Sequence, residues 1–239
     1  LFNVRLGWWL GNPGPAGNKT WQHAGPRYSV GPLFSEAAGH TTDRYKYVNL
    51  SDGGHFENLG LYEMVLRRCH YIVVSDGGGD PDYAFADLGE AVRKIRIDFG
   101  IPIEFGTITI YSRSAIETLK VPGHHCAIGR IRYSVVDGDG APDGVIVYIK
   151  PACYGDEPRD ICEYSARNPT FPNESTSDQF FSESQFESYR MLGAYTMEKL
   201  CNPQSVRGDF GRFVGEILRC HLQTETPDWL TPLLDSREG

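Results

Sequence analysis

The residues best placed by type and spacing to do chemistry lie in Asn49-Leu50-Ser51-Asp52-Gly53-Gly54-His55-Phe56-Glu57-Asn58. Here a short apolar run, Tyr47-Val48-Asn49-Leu50, ends in a carboxylate, a Gly-Gly turn and the start of a helical pattern. An aspartate in that setting falls at the carboxyl edge of a sheet, where open α/β folds bind ligands. A helix N-terminus just beyond it favours the ionised form. Gly53 and Gly54 let the backbone turn sharply and let another group approach closely. By pattern alone, however, Asp52 reads first as an Asx-turn residue tying down the loop and second as a site carboxylate. His55 has the chemistry of a base, yet no serine in the chain stands in a Gly-x-Ser-x-Gly elbow. Ser51 is adjacent to Asp52, but successive side chains on a strand end point to opposite faces. A second copy of the pattern, Ser75-Asp76-Gly77-Gly78-Gly79, follows Tyr71-Ile72-Val73-Val74. It predicts a flexible strand-to-helix turn, with substrate or phosphate contact through Ser75, Asp76 and backbone amides as the alternative.

Two acidic clusters raise the question of a metal: Asp76, Asp80 and Asp82, and Asp137, Asp139 and Asp143. A calcium loop of the EF-hand type ends in a bidentate Glu at its twelfth position, and counting from Asp137 that position is Tyr148. Both clusters therefore read as solvated turns, and no metal is expected. His124-His125 has one nearby cysteine and no second ligand cluster, which argues against zinc. Six cysteines (Cys69, Cys126, Cys153, Cys162, Cys201, Cys220) include no CxxC pair and follow no framework spacing. They read as reduced core residues rather than staples.

The elements that must position these groups follow from hydrophobic period. Residues 11–46, rich in Gly, Pro, Asn and Ser, predict a long surface loop after a short amphipathic start carrying Trp8 and Trp9. Tyr47 to Leu50 is a short strand. Leu59, Tyr62, Val65, Leu66 and Cys69 recur at three and four, a helix stripe over Glu57 to Cys69. Tyr71 to Val74 has no polar interruption and predicts a strand buried on both faces. Phe85, Leu88, Val92, Ile95 and Phe99 mark a second helix, stopped by Gly100, and Glu104 to Ile110 alternates as a strand. This order predicts Tyr71 to Val74 as a central strand between Tyr47–Leu50 and Glu104–Ile110.

Beyond it, Cys126 to Val136 and Val145 to Lys150 flank the polar run Asp137 to Gly144 and predict a hairpin with a long turn. Ser177 to Leu200 predicts a long helix, with Ser175, Thr176, Ser177 and Asp178 as cap residues. Its stripe Phe180, Phe181, Phe186, Tyr189, Leu192 and Tyr195 reads as core packing. A last helix covers Phe210 to Cys220. The expected fold is α/β, a three-layer arrangement of a mixed, mostly parallel sheet with helices on both faces, plus a C-terminal hairpin and long helices. With no convincing linker, residues 1–239 read as one domain, in which 1–110 is the αβ core block and 111–239 a hairpin and helical extension.

Composition sets outer limits. The 239 residues are 40% apolar and 23% charged, enough for a sizeable core. Lys plus Arg total 23 against 31 Asp plus Glu, a net charge of −8, which argues against a general nucleic-acid binder. The longest apolar run, Val145 to Ile149, is five residues, far short of the roughly 20 a membrane helix needs. Trp8, Trp9 and Trp21 suit a lipid interface, although a core role for at least one is the plainer expectation. The chain opens in mid-pattern at Leu1-Phe2-Asn3-Val4 without Met, as a portion of something longer would.

Asp52-Gly53-Gly54, followed by a helix and the strand Tyr71 to Val74, resembles the second catalytic block of the patatin-like phospholipases. The run from Tyr47 to Phe105 is also similar to the corresponding block of the cytosolic phospholipases. The resemblance covers roughly residues 1–110. It implies a Ser-Asp dyad that hydrolyses lipid or other carboxylic esters without a cofactor, in which Asp52 takes the serine proton directly. The Gly-x-Ser-x-Gly elbow and the oxyanion loop, which precede the Asp block in that family, are absent from these residues. The resemblance therefore implies an N-terminal segment supplying the nucleophilic serine, and a cytoplasmic or membrane-peripheral protein. Two alternatives stand beside it: an esterase whose nucleophile lies unrecognised within this chain, and a binding or scaffold domain that has lost the chemistry.

Overall fold

A computed structural model describes residues 7–175, 177, 178, 180–202, 206 and 208–235. The opening Leu1 to Val4 and the cap candidate Thr176 lie outside the described residues. The chain divides into two compact units, residues 1–58 and 59–239.

The first unit is built on a two-stranded antiparallel sheet. Strand β1 (Gly7–Gly11) pairs with β2 (Tyr47–Ser51) in the register Trp9 to Asn49. The long connection between them is not all loop. It carries helix α1 (Val30–Ala37), with Pro32 in its first turn, where the missing N–H costs nothing, and Gly39 at a φ of 72° just past its end. Val30, Leu33 and Phe34 on α1 are exposed, as are Trp8 and Trp21.

In the second unit, helix α2 (Leu61–Leu66) leads into strand β3 (Tyr71–Ser75). Helix α3 (Ala86–Phe99) and the short strand β4 (Ile103–Phe105) follow, then helix α4 (Arg113–Leu119). Strand β5 (Cys126–Ile131) and strand β6 (Gly144–Ile149) form the expected hairpin, registered Cys126 to Ile149, but the first arm ends at Ile131 rather than Val136 and the connection carries the one-turn helix α5 (Ser134–Asp137). The C-terminal part holds α6 (Arg159–Arg167), α7 (Glu183–Leu200), α8 (Phe210–Glu216), a π-helical turn over Ile217–Leu222, and α9 (Thr231–Asp235).

The four strands lie in the order β3-β6-β5-β4. β3 and β6 are parallel, whereas β6–β5 and β5–β4 are antiparallel. Three strands thus point one way, and only the adjacent pair β3–β6 is parallel. This corrects the expected mostly parallel sheet centred on Tyr71 to Val74. The hairpin inserts between β3 and β4, so β3 becomes an edge strand, and β2 pairs with β1. The all-buried strand is β6. Lying between two strands it is covered on both sides, whereas β3 at the edge leaves Val73 and Ser75 exposed.

Period 2 splits the strand side chains cleanly. Ile146 and Tyr148 join Ile72, Val74, Ile103 and Ile131 in a core with Leu61 and Val65 of α2 and Leu88, Ala91 and Ile95 of α3. Val145, Val147 and Ile149 join Cys126 in a second core with Leu200, Val214, Ile217, Leu230 and Leu233. The α3 stripe behaves as expected, and Gly100 ends it at a φ of 70°. Strand β4 is shorter than the alternation of Glu104 to Ile110 predicts. After Phe105 the chain leaves β5, and its next backbone bond runs from His124 N–H to the Thr109 carbonyl.

Helix α7 starts later than expected, at Glu183, because Ser182 caps it by accepting from Gln185 N–H at 3.1 Å. The aromatic stripe before and within it is only partly core: Leu192 is buried, but Phe180 is 93% exposed, and Phe181 and Phe186 are also exposed. All six cysteines are free thiols, and Cys220 is exposed rather than buried.

At Gly129 on β5 the four-stranded sheet leaves little room for a side chain. A Cβ on Gly129 would stand 2.9 Å from both Ile146 Cγ2 and the Phe105 ring. Gly129→Ala is expected to lower stability by about 1–3 kcal/mol through overpacking. A denaturant midpoint equal to that of wild type would contradict this packing.

Candidate functional site

Asp52 stands at the end of β2, exposed, and its Oδ1 accepts the Gly54 N–H at 2.9 Å. This is the Asx turn expected from the pattern. The turn it begins is a short 3-10 segment, Gly53–His55, with His55 exposed at its end. The expected helix near Glu57 starts instead at Leu61, in the second unit, after Gly60 at a φ of 69°. Asp52 is therefore held by a local N–H and not by a helix terminus. A Cβ on Gly54 would lie 2.6 Å from Asn58 Oδ1, so a side chain there would displace the end of the Asn58 side chain. Ser51 does not address the carboxylate: its Oγ lies 3.5 Å from the Asp52 main-chain carbonyl. Beside β2 is a cavity of about 460 Å3 whose walls include Trp9, Glu36, Thr41, Asn49, Leu50 and Ser51.

The second Ser-Asp-Gly-Gly run is a different object. Ser75 ends β3, and Asp76 is buried at 2% exposure. Its Oδ1 accepts the Gly78 N–H at 2.9 Å, and its Oδ2 accepts the Tyr148 hydroxyl at 2.5 Å. Lys150 Nζ lies 3.1 Å from the same Oδ2 and 3.9 Å from Asp80 Oδ2, and it donates to the Gly78 carbonyl at 3.2 Å. Lys150 is 1% exposed. Burial, and then the bond to Asp76, push the Tyr148 phenol far above its ordinary range.

The sequence pattern predicts a flexible, solvated turn for this loop. Instead it is locked at the carboxyl ends of the parallel pair β3 and β6, because Lys150 continues the β6 apolar run into the interior and must find a buried anion. Asp80 is held as well, accepting from Ala84 and Phe85 N–H ahead of α3. The other acidic cluster is only partly as expected: Asp137 and Asp139 are exposed, as a solvated turn requires, whereas Asp143 is buried. Asp137 binds Arg68, and the buried Asp143 takes Arg130 at 2.6 Å and the Ser134 N–H at 2.9 Å. Among the described residues, no group of three or more His, Cys, Asp or Glu is placed to hold a metal ion.

Neither Lys150 nor Tyr148 stands out as a site residue from local sequence pattern, although a signal is present. A lysine directly extending the longest apolar run is either a strand end in water or a buried charge, and Asp76 occupies the equivalent position after β3. Of the expected site residues, the structure gathers Asp52, Gly53, Gly54 and His55 in one exposed turn of the first unit, and places an exposed Ser75 beside a buried Asp76 at a strand end of the second. No helix among the described residues is long and apolar enough to cross a membrane. The chain matches no protein-family model, no curated protein and no solved structure.

Proposed function

We propose that this chain carries the proton-accepting part of a Ser-Asp acyl hydrolase of the patatin-like type, acting on lipid or other carboxylic esters with Asp52 as the base. The observation that carries the reading is the Asp52 carboxylate itself. It ends a strand, is exposed, and is fixed through Oδ1 by Gly54 N–H, which leaves Oδ2 able to accept a proton.

In the reaction, the serine hydroxyl attacks the ester carbonyl and passes its proton to Asp52. The tetrahedral intermediate then expels the alcohol, which takes that proton back from Asp52. Water repeats the sequence on the acyl-serine: Asp52 accepts its proton, the carboxylic acid leaves, and the serine is restored. The serine and the oxyanion donors come from polypeptide outside these residues, and no cofactor enters. The same reading takes the four-stranded sheet, with apolar clusters on both faces, as a three-layer framework. Exposed Trp8 and Trp21 suit contact with a lipid surface.

A fluorophosphonate probe, which labels activated serines, tests this. A polypeptide extended to include a Gly-x-Ser-x-Gly elbow should label stoichiometrically at that serine. The 239-residue chain alone should label at none and should hydrolyse short p-nitrophenyl esters little above background. One fully modified serine within the chain, whose mutation removes activity, would place the nucleophile here instead. An extended polypeptide that neither labels nor hydrolyses esters would be a binding or scaffold protein.

A further inference from the structure

Three imidazoles meet where β5 begins. His124 and His125 precede the strand, and His221 lies on the π-helical turn Ile217–Leu222. The His221 ring centroid is 5.2 Å from that of His124 and 5.7 Å from that of His125, the latter pair stacked at 25°. The His125 backbone N–H donates to His221 Nε2 at 3.0 Å, so that nitrogen must be unprotonated. His125 is 3% exposed, and its Nδ1 has no hydrogen-bond partner.

The surrounding charges offer little relief to a cation. From the segment before α6, Tyr154 lies against His125 with ring centroids 5.0 Å apart, tilted by 40°, and Asp156 and Glu157 are nearby. From α7 come Tyr195, at 6.1 Å, and the cation Lys199. Asp156 is taken by Lys199 at 2.8 Å, and Glu157 by the Tyr154 and Gly155 N–H groups. His124 is held by Thr109 Oγ1 at 2.7 Å. The same turn forms one wall of a cavity of about 660 Å3, in which Leu218, Leu222 and Trp229 face His124, Cys126 and Ile128.

We propose that these histidines are an acid-sensitive latch: neutral His221 holds the Ile217–Leu222 turn against the start of β5, and its protonation releases the turn and opens the cavity beneath it. A protonated His221 has no lone pair for the His125 N–H and faces two further imidazoles and Lys199. Burial pushes both His125 and His221 down to about 4. The ordinary histidine value is about 6.5. The folded cluster therefore resists protonation, so the closed form is fully held above the ordinary value and weakens as the pH falls from there toward 4.

The cavity wall supplies its own reporter. Cys126 is buried there, Cys220 is exposed on the latch turn, and Cys153 is buried in a separate cluster. Dithiodipyridine, which reacts with thiols even in acid, is applied to the folded chain at about pH 7 and about pH 4.5, bracketing the histidine range, and modification is read by mass spectrometry. Relative to Cys220, Cys126 should react at least about tenfold faster in acid, a shift of roughly 1.4 kcal/mol or more, while Cys153 stays protected. His221→Gln keeps an amide oxygen as acceptor but does not titrate, and should keep Cys126 protected in acid. His221→Phe should expose it at neutral pH. Continued protection of Cys126 in acid, or Cys126 and Cys153 opening together, overturns the latch. So does a folded His221→Gln variant that opens as the wild type does. If that variant does not fold, the wild-type comparison of Cys126 with Cys153 decides.

Discussion

Asp52→Asn, made in a polypeptide that supplies the serine, is expected to lower ester turnover by a factor on the order of 10²–10⁴, the usual contribution of a positioned general base. The melting temperature should move by no more than a few degrees. Asparagine keeps an Oδ1 for the Gly54 N–H that fixes the turn, and the side chain is exposed, so no buried charge is created or lost. What asparagine cannot do is accept the serine proton. The informative readout is the split between the two measurements. Activity within a few-fold of wild type would remove Asp52 from the chemistry and leave it as the Asx-turn residue its local hydrogen bond already makes it. Loss of activity together with a large loss of stability would show the turn, not the proton transfer, to be at fault.

Lys150→Met should be the most destabilising single change at the sheet, by about 3–5 kcal/mol, because it strands the buried Asp76 carboxylate without its cation. That is a large share of the stability of a typical domain, about 5–15 kcal/mol, so the variant should show a sharply lowered denaturant midpoint. Substituting both partners, Asp76→Leu with Lys150→Met, should recover much of the loss. The desolvation cost then disappears along with the attraction, although Tyr148 and the Gly78 N–H lose an acceptor. A double-mutant cycle that returns no coupling between positions 76 and 150 would contradict the ion pair as the element that locks the glycine loop.

The two predictions treat the repeated Ser-Asp-Gly-Gly run in opposite ways. Read as sequence, the two copies look alike, each a carboxylate after an apolar strand and before glycines. Their surroundings separate them. Asp52 ends a strand of a two-stranded sheet and stays in water, so its carboxylate remains available for chemistry. Asp76 ends β3 beside β6, where Tyr148 and Lys150 arrive from residues far along the chain. No local pattern announces a partner 72 or 74 positions away, and the burial that makes the pair consequential is itself a product of assembly.

What the sequence determined alone was everything set by local period and punctuation: the apolar stripe of α3 and its stop at Gly100, the β5–β6 hairpin, and the Asx turn at Asp52. These rest on interactions among near neighbours, such as side chains on one helix face, a glycine at positive φ, or a carboxylate reaching its own backbone. Tertiary structure decided the rest. It set the strand order, because inserting the hairpin between β3 and β4 trades local adjacency for burial of β6 on both faces. It closed the glycine loop after β3 around Lys150, because a charge carried into the core must be met there by another. It also brought His221 onto the start of β5 from 96 residues away, where Ile217 and Leu218 of the turn and Cys126 of the strand are buried in one apolar cluster.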